Sequence, residues 1–214
     1  MAHVLLDLDG TLTDPEEGIT ACIRYALDKL GIAAPTDAVL ASYIGPPLLH
    51  TFRKLCRTEQ EATEGVRLYR ERFSTKGLYE NRVYEGIVSA LEQFAAAGYT
   101  LCVATSKPGV YATRIVEHFE LAHFFGAVYG SELDGRLSDK TELIAHILST
   151  EGLAADQAVM IGDRRYDVVG ANNHGVRSVG VLWGFGSESE LRDAGADALC
   201  NRPDALFDTV SALL

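Results

Sequence analysis

Asp7 and Asp9 flank Leu8 at the end of an apolar run, and Gly10 and Thr11 follow at once. Residues two apart on a strand point to the same side. Two like charges held that close cost free energy unless a cation lies between them. Three later stretches end in groups of matching chemistry. YTLCVATS ends in Thr105 and Ser106, with Lys107 next; AVMIGD ends in Gly162 and Asp163, with Asp167 four residues on; Lys140 opens the stretch KTELIAHILSTEG. Asp7, Asp9 and Asp163 make a small set of hard oxygen ligands, which suits Mg²⁺ with its retained waters. Lys140 is a compact cation for a phosphoryl oxygen. Thr105 offers a hydroxyl, and Gly10 lets backbone N–H groups approach a ligand closely. The chemistry this set could perform is phosphoryl transfer. A carboxylate attacks phosphorus to give an aspartyl-phosphate, while a metal ion and a lysine offset the crowded charge. A second acid nearby protonates the leaving oxygen and then activates water. Uncatalysed hydrolysis of phosphate monoesters is so slow that enzymes reach accelerations of roughly 10²¹-fold, so positioning and charge must supply nearly all of it.

The elements that would position these groups are legible as periodicity. After Tyr84 the sequence alternates helical and strand patterns. GIVSALEQFAAAG, GVYATRIVEHFEL, KTELIAHILSTEG, DVVGANNHG and ESELRDAG read as helices. YTLCVATS, GAVYG, AVMIGD, SVGVLWG and ADALC read as strands, and RPDALFDTVSALL as a last helix. The strands are continuous apolar runs, as in strands buried on both faces. The fold class expected is therefore α/β, a doubly wound, Rossmann-like parallel sheet. Ligands of such sheets bind beyond the carboxyl ends of the strands, where the residues above fall. The first strand, around Val4 to Leu8, is cut off from the others by helical patterns such as GITACIRYALDKLGI. This places an inserted helical domain at 17–80 and the sheet domain at 1–16 and 81–214.

The composition limits the alternatives. With 214 residues, 47% of them hydrophobic, the chain suits one sizeable domain or a domain with an insertion. No apolar run reaches the roughly 18 residues of a membrane span, and the N-terminal residues lack the pattern of a secretory leader. The four cysteines show no C-x-x-C pair, which argues for neither a disulfide framework nor a zinc site. The expectation is a cytoplasmic protein with no membrane association and no evident obligate protein partner. A net charge of −11 disfavours a nucleic-acid polymer as partner. It leaves room for a small phosphorylated metabolite, because a metal ion or a few cations can reverse the potential in one cleft.

DLDGTLTD, VATSKP, Lys140 within SDKTELI and IGDRRYD occur in this order, from Asp7 to Asp167. Together they resemble the four signature motifs of the haloacid dehalogenase superfamily. The resemblance implies Asp7 as nucleophile and Asp9 as general acid/base, with Asp9 also lending its backbone carbonyl to Mg²⁺. It implies phosphate contacts from Gly10, Thr105, Ser106 and Lys140, metal ligation by Asp7, Asp9 and Asp163, and a supporting place for Asp167 beside the metal waters or Lys140. The helical insertion resembles the family's α-helical cap. Asp9 argues against the dehalogenase and phosphonate-cleaving branches, which lack this second acid. DLDGTLTDPEEGI, IGPPL, GLYENRVYEGI, ATSKP, YGSELDG and MIGDRRYDVVGA resemble the phosphoglycolate-phosphatase-like branch, and within it members described as 5′-nucleotidases. The function implied is Mg²⁺-dependent hydrolysis of phosphoglycolate or a nucleoside 5′-monophosphate. A phosphomutase of the β-phosphoglucomutase kind shares these residues. A non-enzymatic phospho-accepting signalling domain is the third reading, disfavoured by the helical insertion and by Asp9.

Several residues have plainer readings beside the functional ones. Asp167 can flank its helix, Ser106 and Lys107 can open a turn, and Arg164 and Arg165 can be surface arginines. Gly45–Pro47 is a helix-breaking loop that the resemblance turns toward substrate. The six histidines have no metal-site spacing, and the glycines around Trp183 lack the dinucleotide fingerprint.

Overall fold

The computed structural model describes residues 2–214. The chain divides into two compact units, one running up to Asp14 and from Val83 to Leu214, the other from Pro15 to Arg82. Strand β1 (His3–Leu6) and the short β2 (Thr13–Asp14) open the first unit.

The second unit is helical: α1 (Glu16–Lys29), α2 (Asp37–Ala41), α3 (Leu48–Leu55) and α4 (Glu59–Arg72). Helix α1 buries Ile19, Cys22, Ile23, Ala26 and Leu27, an i, i+3, i+4 stripe. Glu16 and Glu17 in its first turn and Lys29 in its last suit the helix dipole. Thr58 caps α4 by accepting the N–H of Glu61 at 3.1 Å. A π-turn at Phe73–Gly77 extends that helix. Tyr69 stacks on Phe73, with centroids 5.2 Å apart, and meets Phe52 edge to face at 6.3 Å. Gly45, at φ +104°, and Pro47, before α3, break the helical run as the sequence indicates.

After β3 (Arg82–Val83), which spans the boundary, the first unit continues with α5 (Ile87–Ala96), β4 (Thr100–Pro108), α6 (Gly109–His118), β5 (Phe125–Ser131) and α7 (Lys140–Glu151). It closes with β6 (Ala158–Gly162), α8 (Arg165–Asn172), β7 (Arg177–Val181), α9 (Glu188–Asp193), β8 (Ala198–Cys200) and α10 (Leu206–Ser211). Six strands form one sheet in the order β5-β4-β1-β6-β7-β8, and every pairing is parallel. β1 lies in the middle, with Leu5 in register with Cys102 on one side and Met160 on the other. Val4, Leu5 and Leu6 are wholly buried, which is why this strand is apolar on both faces. Each such side chain contributes roughly 1.5–3 kcal/mol by leaving water. On one face Leu143, Ile144 and Ile147 of α7 and Ala171 of α8 pack on Leu5, Cys102, Ala104 and Met160.

Three strand boundaries differ from expectation: β7 stops at Val181, short of the Trp183 and Gly184 read into it, β4 runs on to Pro108, and the third is at the first strand. β1 ends at Leu6 instead of Leu8. The Leu8 carbonyl accepts the N–H groups of Leu12 (3.0 Å) and Thr13 (2.9 Å), closing a tight turn through Gly10 at φ +82°. That turn takes Asp9 out of the strand geometry. No helix among the described residues is long and apolar enough to cross a membrane.

Candidate active site

The strand order reverses around β1, since the chain runs outward to β5 and returns to β6 on the other flank. The crevice beyond such a switch point collects the ends of β1, β4 and β6. Lys140, the first residue of α7, occupies it. Asp139 caps that helix by accepting the N–H of Thr141 at 2.8 Å. A Cβ on Gly170 would lie 2.8 Å from Lys140 Cβ, so α8 passes this close to α7 only without a side chain there.

Lys140 Nζ lies 2.5 Å from Asp167 Oδ1 and 3.0 Å from Asp7 Oδ1, and donates to the Ala104 carbonyl at 2.7 Å. Asp7 is fixed from behind by its own N–H, which donates to Ile161 O at 2.9 Å, and its Oδ1 accepts the Leu8 N–H at 2.8 Å. Asp7, Asp163 and Asp167 are all buried, and each offers an oxygen within 4.8 Å of the other two. Asp163 Oδ2 accepts the Phe185 N–H at 2.8 Å, while its buried Oδ1 has no hydrogen-bond partner. Asp167 Oδ2 accepts the Arg164 N–H at 3.1 Å.

The side-chain carboxylates brought together are those of Asp7, Asp163 and Asp167, while the metal contact expected of Asp9 is its backbone carbonyl, on which the direction of its side chain has no bearing. Asp167 stands inside the cluster because Gly162 leaves room: a Cβ there would fall 2.1 Å from Asp167 Cγ. The side chain of Asp9 is turned to Lys107, Nζ to Oδ2 at 2.7 Å, and both groups are nearly sealed from solvent. The sequence left Lys107 between a cleft residue and a turn residue. Its signal was its place directly after a strand end beside two hydroxyls. Thr105 is buried, and its Oγ1 accepts the Lys107 N–H at 3.2 Å. Ser106 is half-buried, and its carbonyl accepts the Ser131 hydroxyl at 2.9 Å. Of the backbone N–H groups near Gly10 expected as ligand donors, that of Gly10 itself donates to Thr13 O at 2.8 Å. Gly10 instead permits close approach, because a Cβ there would lie 2.2 Å from Asp163 Oδ2. Arg164 Nε pairs with Glu190 at 3.0 Å, and the Arg165 N–H donates to the same carboxylate at 2.9 Å.

Burial and mutual repulsion define the electrostatics. Burial, then the charges of Asp167 and Asp7, push the Asp163 carboxyl well above its ordinary range. Burial raises Asp167 to about 6 against the pull of Lys140. Burial also raises Asp9, with Lys107 opposing. For Lys140, burial pulls downward, yet Asp167 and Asp7 together prevail and hold the ammonium above its usual value. Three crowded carboxylates, one with an orphaned buried oxygen, therefore fit a divalent cation that would favour their ionised forms.

The sign of the pH effect follows. Asp167 has a folded-state pKa above its unfolded value, so the metal-free fold binds protons more tightly than the unfolded chain. This contribution to stability is complete below about pH 4 and is lost as pH rises through about 6. Thermal unfolding with chelator should show that decline, and the stabilisation by added Mg²⁺ should grow as pH rises from 5 through about 6 and then level off. A Mg²⁺ stabilisation that does not change between pH 5 and 7 would contradict it.

Comparison with known proteins adds an independent line. Residues 4–181 match the family model of haloacid dehalogenase-like hydrolases. The chain is 54% identical over 191 residues to a 5′-nucleotidase of Pseudomonas aeruginosa, covering 89% of this chain and 86% of that protein. It is 38% identical over 183 residues to the tyrosine-protein kinase PtkA of Mycobacterium tuberculosis, covering 86% of this chain and 62% of that protein. The crystal structure of a predicted phosphatase from Clostridium acetobutylicum superimposes with a TM-score of 0.94 at 43% identity, over 99% of this chain and 98% of that one.

Proposed function

The chain belongs to the haloacid dehalogenase-like hydrolases and to their phosphatases, and from that premise we propose that it hydrolyses a small phosphomonoester with Mg²⁺ through an aspartyl-phosphate on Asp7. The observation that carries this reading is Lys140 Nζ held between Asp7 and Asp167, with Asp163 in the same cluster. Asp7, Asp163 and Asp167 are the proposed cation-holding side chains. Mg²⁺ at that position would neutralise charge on the phosphoryl oxygens. Asp7 attacks phosphorus and the leaving oxygen departs. Lys140 fixes the attacking carboxylate and balances charge on the phosphate. Asp9 gives its proton to the leaving oxygen and then takes one from the water that opens the aspartyl-phosphate. Its raised pKa suits an acid that must be protonated at the start of the cycle. The Thr105 hydroxyl is the proposed phosphate donor, with Ser106 beside it. The helical unit from Pro15 to Arg82 is the proposed cap and carries the choice of substrate. The proposed compartment is the cytoplasm, in keeping with four cysteines that form no disulfide.

The preferred substrate class is the nucleoside 5′-monophosphates, supported by the relative described as a 5′-nucleotidase; phosphoglycolate is the second choice. The test is a screen of nucleoside 5′-monophosphates, phosphoglycolate and sugar phosphates with Mg²⁺, comparing kcat/KM from released phosphate. Repeated turnover to free phosphate is the expected result. An isomerised sugar phosphate without release would favour the mutase. Because one relative is described as a tyrosine-protein kinase, a parallel assay offers ATP and a tyrosine peptide. Phosphate passed to tyrosine and not to water would overturn the phosphatase reading.

A further inference from the structure

Lys140 pairs with Asp7 and Asp167, whereas Asp163 is held by a different part of the chain. Its Oδ2 accepts the N–H of Phe185, and its Oδ1 has no hydrogen-bond partner. Phe185 sits in the loop that follows β7. The same loop reaches the turn after Asp7, because the Trp183 indole N–H donates to Thr11 O at 3.0 Å. Residues 184 and 186 are glycines in places without room for a side chain. A Cβ on Gly184 would lie 2.3 Å from Gly10 O and 2.4 Å from Asp163 Cβ. One on Gly186 would lie 1.9 Å from Asp163 O. The backbone of this loop is therefore pressed against both the Asp7 turn and Asp163. Its far end is tied down as well. Ser187 caps α9 through the Glu190 N–H at 3.1 Å, and the Glu190 carboxylate returns to Arg164 and Arg165, the two residues after Asp163.

We propose that Trp183–Gly186 is a positioning clamp for the cation site, setting the separation of the Asp7 turn from Asp163 and leaving Asp163 Oδ1 open for the ion. None of these four residues supplies a ligand oxygen from its side chain. Their effect is to hold two mutually repelling carboxylates in one arrangement before a cation arrives, so that binding needs little rearrangement. Groups behind the ligands of metal sites commonly act this way. The inference rests on the Mg²⁺ reading above.

The experiment is calorimetric titration of the intact chain with MgCl₂, for Trp183→Phe and Gly184→Ala. Trp183→Phe keeps an aromatic ring but loses the indole N–H together with part of the ring; Gly184→Ala drives a methyl group into Gly10 and Asp163. Mg²⁺ affinity should fall about tenfold in the first and further in the second. For Trp183→Phe, substrate KM at saturating Mg²⁺ and circular dichroism should match the wild type. Should Gly184→Ala fail to fold, Trp183→Phe alone decides. A Trp183→Phe protein that binds Mg²⁺ within about twofold of wild type would overturn the clamp, given the about tenfold loss expected at such positions. Wild-type protein that takes up no Mg²⁺ would instead overturn the metal assignment itself, a distinct outcome.

Discussion

Asp7→Asn should lower the rate of phosphate release by a factor on the order of 10⁴ to 10⁶, the scale seen when a nucleophile is deleted, while the protein still folds. The amide is close to isosteric with the carboxylate, and its oxygen can still accept the Leu8 N–H now held at 2.8 Å. What it lacks is the anionic oxygen that attacks phosphorus. Two effects on stability oppose each other. At its 3.0 Å contact Lys140 is left with a neutral amide oxygen, but it keeps Asp167 at 2.5 Å and the Ala104 carbonyl at 2.7 Å. Meanwhile Asp163 and Asp167 each lose a neighbouring negative charge that now raises their pKa. The relief of two repulsions outweighs one attenuated pair, so the unfolding temperature without Mg²⁺ should not drop. Phosphate release assayed at saturating substrate checks the first part and a thermal scan the second. Turnover within about tenfold of wild type would remove Asp7 from the role of nucleophile.

Lys140→Met should damage both fold and function. The ammonium is buried and serves two carboxylates that are nearly sealed from solvent. Removing one partner of a buried pair costs roughly 3–5 kcal/mol, because the remaining charge stays behind uncompensated. For a chain of this size that is a fall in unfolding temperature on the order of 10 °C. Mg²⁺ should restore part of the stability, since it supplies positive charge to the same oxygens, but should not restore phosphate release. Lys140→Arg should not rescue either, because a planar guanidinium cannot replace a point charge in a space this tight. An unchanged metal-free unfolding temperature for Lys140→Met would refute this account of the cluster.

The sheet and the order of chemical groups along it were readable before any coordinates. Buried strands demand continuous apolar runs, and their carboxyl ends are where Asp7, Thr105 and Asp163 fall. What could not be read was the fine direction of side chains. The expectation that Asp7 and Asp9 share one face assumed a strand through Leu8. β1 ends at Leu6, and the Asp9 carboxylate pairs with Lys107 while still feeling the charges of Asp7 and Lys140. Asp167 joins Asp7 and Asp163 because Gly162 is bare, a steric fact that spacing does not carry. The reach of Trp183 to Thr11 joins residues 172 apart in sequence, and no local pattern announces it. The same holds for Glu190, whose partners lie on another loop.

The central position of β1 has a consequence for biosynthesis. Its two neighbours are β4 and β6, and β6 begins only at Ala158. At 5–20 residues per second, the ribosome needs on the order of ten seconds to deliver that strand after β1 has emerged. Throughout that interval the buried, apolar β1 keeps at least one open edge, the state in which a chaperone would bind it. Its acidic tip meets Asp163 only when β6 docks, so the site is completed in the same late step that covers the second edge of β1.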